Sequence, residues 1–121
     1  MRDAIKSLKA LSDETSMRVI NLVLNRECCV CEVMHALEIS QSKASRHLSA
    51  LYDAGFLKLR KDGLWSLYSV NETELKDYQK ALVDAVKKII KQNKLTEGDT
   101  VRLSKVKRRV LNTTDAVCVS E

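Results

Sequence analysis

The chain has 121 residues and a net charge of +5, which fits one modest domain of the kind dimerisation often completes. No stretch approaches the ~20 apolar residues of a membrane span, and the charged opening "MRDAIKSLKALSDE" lacks the apolar run of a signal peptide. A cytoplasmic protein with no membrane partner is expected, and in a reducing compartment its four cysteines point to metal or thiol chemistry rather than structural disulfides.

In chain order, "AIKSLKAL" puts Ile5, Leu8 and Leu11 on one face of a first helix. Ser12 or Asp13 caps a second, whose stripe is Met17, Val19, Ile20, Val23 and Leu24. "VCEVMHALE" reads as a short third helix with Val30, Val33, Met34 and Leu37 inward. Ser40 caps a polar fourth helix, "QSKASRHLSALYDAG", in which Ala44, Leu48 and Leu51 are spaced for burial and Gly55 ends the helix. The alternation of Leu57 and Leu59 with Lys58 and Arg60, then Asp62-Gly63, then Leu67, predicts a β-hairpin. Asn71 and Glu74 have the spacing of a capping box before a helix striped with Leu75, Tyr78, Leu82, Ala85, Val86 and Ile89. That stripe is longer than a small core requires, and a homodimer through the first and last helices is expected. Residues 1–94 are read as one DNA-binding and dimerisation domain. Residues 95–121 are read as a basic tail of uncertain structure, with "AVCVSE" a short strand or a frayed end.

Helix, helix, turn, polar helix and hairpin make a winged helix-turn-helix, mainly α with a β-hairpin wing. Charge supports a double-stranded DNA partner. Residues 13–39 carry five acids against Arg18 and Arg26, whereas 41–62 carry Lys43, Arg46, Lys58, Arg60 and Lys61 against Asp53 and Asp62. The donors at the start of the polar helix are Gln41, Ser42, Lys43, Ser45 and Arg46: Gln suits adenine, Arg and Lys suit guanine, and Ser serves bases or phosphates. Arg60 and Lys61 stand on the hairpin, placed to follow phosphates. His47 reads as a structural or phosphate contact, Trp65 as hairpin packing, and Tyr52 as either a core edge or a backbone contact.

Together "LSDETSMRVINLVLN", "ECCVCEVMHALEISQSKASRHLSALYDAGFL" and "RKDGLWSLYSV" resemble the ArsR/SmtB family of winged-helix metal-responsive repressors, over about residues 5 to 90. "SQSKASRHLSAL" resembles the family's recognition helix, "RKDG" its wing, and "ECCVCE" its cysteine box in arsenite-sensing and cadmium/lead-sensing members. The resemblance implies a homodimer that sits on an operator and leaves when an inducer binds.

The box pairs Cys29 with Cys31. The third cysteine of the nearest arsenite sensors falls here on Met34, and no cysteine precedes Cys28, so Cys28 is the natural replacement. Within a regular helix Cys29 and Cys31 lie ~200° apart, whereas Cys28 and Cys31 can face one way. A three-sulfur site therefore needs the helix to start late, and Glu27, Cys28 and Cys29 are poor caps. Arsenite and antimonite favour three thiolates, while cadmium and zinc want a fourth ligand, so As(III) or Sb(III) bound by Cys28, Cys29 and Cys31 is the expected inducer site. Cys118 is either a further ligand or a tail thiol. A Cd/Pb/Zn sensor or a redox or persulfide switch stays open as the alternative. An enzyme is not expected, because the chain has no phosphate-cradling glycine loop and no Ser/His/Asp set.

Overall fold

The computed structural model describes residues 1–94, 96–110 and 116–120, and side chains as far as residue 108. The elements run α1 (Arg2–Ala10), α2 (Glu14–Asn25), α3 (Val30–Leu37), α4 (Gln41–Asp53), β1 (Leu57–Asp62), β2 (Trp65–Val70), α5 (Asp77–Asn93), α6 (Glu97–Lys105), β3 (Val106–Val110) and β4 (Ala116–Ser120). Local chemistry sets most of these bounds. The Asp13 carboxylate accepts the Ser16 N–H at 2.7 Å and starts α2. The Ser40 hydroxyl accepts the Lys43 N–H at 3.1 Å and starts α4. Each satisfies a donor that a helix start leaves over. After α4 the chain turns through Gly55 at φ +92, a conformation that a side chain would strain.

The core lies among α2, α3, α4 and the inner face of the hairpin, with Val19, Ile20, Leu22, Val33, Leu48, Leu51 and Phe56 fully buried. Burying each large side chain contributes on the order of 1.5–3 kcal/mol before entropy is subtracted. A polar joint ties α1, α4 and α5: the Gln79 amide donates to Ser7 Oγ at 3.1 Å and to the Ala54 carbonyl at 2.8 Å.

Several expectations are corrected. The hairpin turns on Gly63-Leu64, because Asp62 is already paired with Trp65; Gly63 takes φ +60 at the first turn position. Leu59 is exposed, so alternation along β1 does not mark a buried face. Asn71 caps no helix: its amide donates to Glu74 at 3.3 Å, and α5 starts later, behind Lys76 and a capping box closed by Gln79. The inward face of α5 is Gln79, Val83, Val86 and Ile90. Of the expected stripe, Tyr78, Ala85 and Ile89 are exposed and Leu82 is half-buried. Likewise Leu11, just past the end of α1, is buried, but Ile5 and Leu8 on α1 are exposed. Both helices therefore keep an uncovered apolar stripe.

α5 is not the last helix. In the segment read as a tail, α6 packs on α3 and puts Leu103 into the main core. β3 and β4 then pair antiparallel beside α3.

Candidate thiol site and nucleic-acid interface

The cysteine segment is an added strand residue on the wing. Cys28 pairs with Tyr68 on the edge of β2 away from β1. Its N–H donates to the Tyr68 carbonyl at 2.9 Å, and its carbonyl accepts the Tyr68 N–H at 2.8 Å. The Cys28 side chain enters the main core, where its thiol donates to the Arg26 carbonyl at 3.5 Å. Burial pushes that thiol up to about 12, with Glu32 adding to the shift. It is therefore a protonated thiol near neutral pH, and the thiolate is the ligand form.

Cys29 is the N-cap of α3, and the helix start is better held than the residue types suggest. Glu32 Oε1 accepts the Cys29 N–H at 3.0 Å and closes a capping box. The buried Glu32 carboxylate is in turn held by Arg26 at 2.8 Å. The expectation of a weakly capped start is thus corrected; the signal was the acid three residues after Cys29. Cys29 packs with Leu67 and Val106, while Cys31 and Trp65 lie at the rim of the same small cluster. The Arg108 guanidinium stands 6.0 Å over the Trp65 ring. Cys29 and Cys31 thus share one cluster and Cys28 belongs to another. Among the described residues no three Cys, His, Asp or Glu side chains are grouped to hold a metal, so the thiols as arranged do not fit a three-sulfur site. Cys118 is paired in register with Arg108, and its side chain lies outside the described residues.

On α4, Ala44, Leu48 and Leu51 are buried while Gln41, Ser42 and Arg46 are exposed and Lys43 and Ser45 are half-buried. One helix face is thereby anchored and the opposite one presents donors. His47 Nδ1 lies 3.0 Å from Ser16 Oγ. Tyr52 meets Tyr68 edge-on, with ring centroids 6.4 Å apart. On the wing, the Lys61 ammonium donates to Ser66 Oγ at 2.5 Å. Arg60 is clasped instead: its Nε and Nη2 each donate to Glu27 at 2.7 Å. Those bonds hold the Glu27 carboxyl below its ordinary range.

Sequence reasoning missed the clamp that fixes α6. Asp99 is buried and takes the Arg18 guanidinium at 2.9 and 2.7 Å and Arg102 at 2.8 Å. The same two arginines donate to the last carbonyls of α3, Leu37 at 3.3 Å and Ala36 at 2.6 Å.

An anchored donor helix preceded by two packed helices and followed by a hairpin defines a winged helix-turn-helix protein. The model of the family described as bacterial regulatory protein, arsR family, matches residues 13–64. An arsenic resistance transcriptional regulator of Pseudomonas putida is 47% identical over 64 residues, which are 52% of this chain and 50% of that one. The chain thus spans about half the length of that relative. An arsenical resistance operon repressor of Bacillus subtilis is 33% identical over 76 residues, 62% of this chain and 72% of that one. A homodimeric winged helix-turn-helix DNA-binding domain from Mycobacterium bovis superposes with a TM-score of 0.62 at 20% identity, over 75% of this chain and 81% of that one. The chain belongs to the arsR family of bacterial regulatory proteins.

Proposed function

We propose that the chain is a cytoplasmic, homodimeric repressor that binds operator DNA and releases it when As(III) or Sb(III) is bound by thiolates of the segment holding Cys28, Cys29 and Cys31. One observation carries the reading. The Cys28–Tyr68 pairing sets three of the chain's four cysteines directly against the hairpin expected to grip DNA. A soft trivalent ion prefers three sulfurs. Binding by all three thiolates is incompatible with the buried position of Cys28, so the bound state is a different arrangement of this segment. The inducer acts only through its preference for that arrangement over the one that fits the operator.

The test follows release of operator duplex as arsenite is added to the reduced protein, with Cd(II) and Zn(II) in parallel. Serine at Cys29 or Cys31 is expected to leave DNA binding intact and abolish release, because a hydroxyl is a poor ligand for a soft ion. Serine at Cys28 blocks release if that thiol is the third ligand. Release by arsenite that survives replacement of all three cysteines would sink the proposal. Trp65, the one tryptophan of the chain, borders Cys29 and Cys31, so its fluorescence should report arsenite binding without DNA.

The DNA side has its own prediction. Arg46 is exposed on the donor face of α4. Arg46→Ala should weaken specific operator binding by about 1–3 kcal/mol while changing binding to unrelated duplex far less. Equal losses on both duplexes in binding isotherms would make Arg46 a phosphate contact instead.

A further inference from the structure

We infer that Glu27 is a positioning residue for DNA binding: its carboxylate occupies the Arg60 guanidinium in place of a backbone phosphate, and a duplex must exchange with it. The inference rests on the reading of the hairpin as a DNA contact. Arg60 meets Glu27 through two parallel bonds of 2.7 Å, the fork geometry with which a guanidinium also takes phosphate. Glu27, Lys58, Arg60 and Ser69 line one shallow depression on the hairpin, so the carboxylate sits where two cations face solvent. The pair is open to water on both sides, with the Arg60 side chain 55% and the Glu27 side chain 35% exposed. An exposed pair of this kind is weak enough for a polyanion to displace.

The position of Glu27 gives the exchange a consequence. It immediately precedes Cys28, whose two backbone bonds to Tyr68 tie the cysteine segment to β2, while the Arg60 clasp ties the same segment to β1. Moving Arg60 onto a phosphate removes the side-chain tie and leaves the backbone bridge. DNA and Glu27 therefore compete for one guanidinium, and whatever strengthens the clasp weakens the grip of the wing on DNA by the same factor.

The test is a thermodynamic cycle on the full chain with Glu27→Gln, Arg60→Gln and the double variant. Binding to a mixed-sequence duplex is followed by fluorescence anisotropy over a salt series. Arg60 is exposed and Glu27 half-buried, and thermal unfolding verifies that each variant is folded. Glu27→Gln is expected to tighten binding about two- to five-fold, the range an exposed ion pair allows. Arg60→Gln is expected to weaken binding and to make the slope of log K against log salt shallower by about 0.9, one phosphate contact. In the Arg60→Gln background the gain from Glu27→Gln should largely vanish. An equal gain in both backgrounds would show Glu27 to be merely a negative charge near DNA and overturn the inference. An unchanged affinity and salt slope for Arg60→Gln would overturn it as well. A wild type that binds no duplex at low salt, by contrast, defeats the DNA-binding reading itself.

Discussion

Replacing Asp99 with alanine is expected to cost the fold about 2–4 kcal/mol, toward the low side of the loss when one partner of a buried charge pair is removed. Asp99 is only 1% exposed and is the shared anion of two guanidiniums. Without it Arg18, whose side chain is 21% exposed, keeps its charge with the Leu37 carbonyl as its one remaining hydrogen-bond partner among the described residues. Arg102 keeps the Ala36 carbonyl and Glu38, which softens the loss on its side. The clamp joins α2, the end of α3 and α6, so its failure should loosen α6 before the rest of the chain. Urea unfolding at one fixed protein concentration measures the difference, because dimerisation would make the midpoint concentration-dependent. A loss below about 1 kcal/mol would mean that water replaces the carboxylate with little penalty.

The second large effect concerns assembly. Leu82→Glu is expected to give monomers whose operator affinity falls by a factor of ~100 or more, because two linked recognition helices gain that much over one. Ile5 and Leu8 on α1 and Tyr78 and Ile89 on α5 are exposed apolar residues, with Leu82 half-buried between the latter two. α1 lies beside α5, so a two-fold partner can cover both stripes at once. The operator should then be an imperfect inverted repeat. Leu82 also touches the core, so Leu8→Glu, at a position 50% exposed, separates loss of the dimer from loss of the fold. Sedimentation of wild-type protein as a monomer at micromolar concentration would rule the dimer out.

Much of the fold was legible before any coordinates. Helix order through α5, a cap at Ser12 or Asp13, the Ser40 cap, the Gly55 stop and the inward residues of α4 all depend on spacings of three or four residues, which local hydrogen bonds and one packing face decide. The donor positions Gln41, Ser42 and Arg46 follow from the same phase, because burying Ala44, Leu48 and Leu51 leaves them nowhere but outside. Helix spacing alone put Cys28 with Cys31, and only the family resemblance paired Cys29 with Cys31; in the fold Cys29 and Cys31 border one cluster and Cys28 another. On α5 the phase slipped, since apolar residues there serve two faces and periodicity alone cannot say which one the chain itself covers.

What the sequence determined by itself was thus the elements through α5 and the chemistry carried on them: a donor helix, a basic hairpin, a run of thiols. The tertiary structure alone decided which thiols are buried and in which cluster, what Arg60 holds, and that Glu97–Lys105 form a helix packed on α3. The reason is physical. Cys28 with Tyr68, Arg60 with Glu27, and Asp99 with Arg18 are contacts between distant parts of the chain. Each exists only because packing has already brought two elements together, so no local spacing encodes it. Charge composition read Arg60 as available and residues 95–121 as a basic tail, whereas burial and pairing turn one into a clasp and anchor α6 through Asp99 and Leu103.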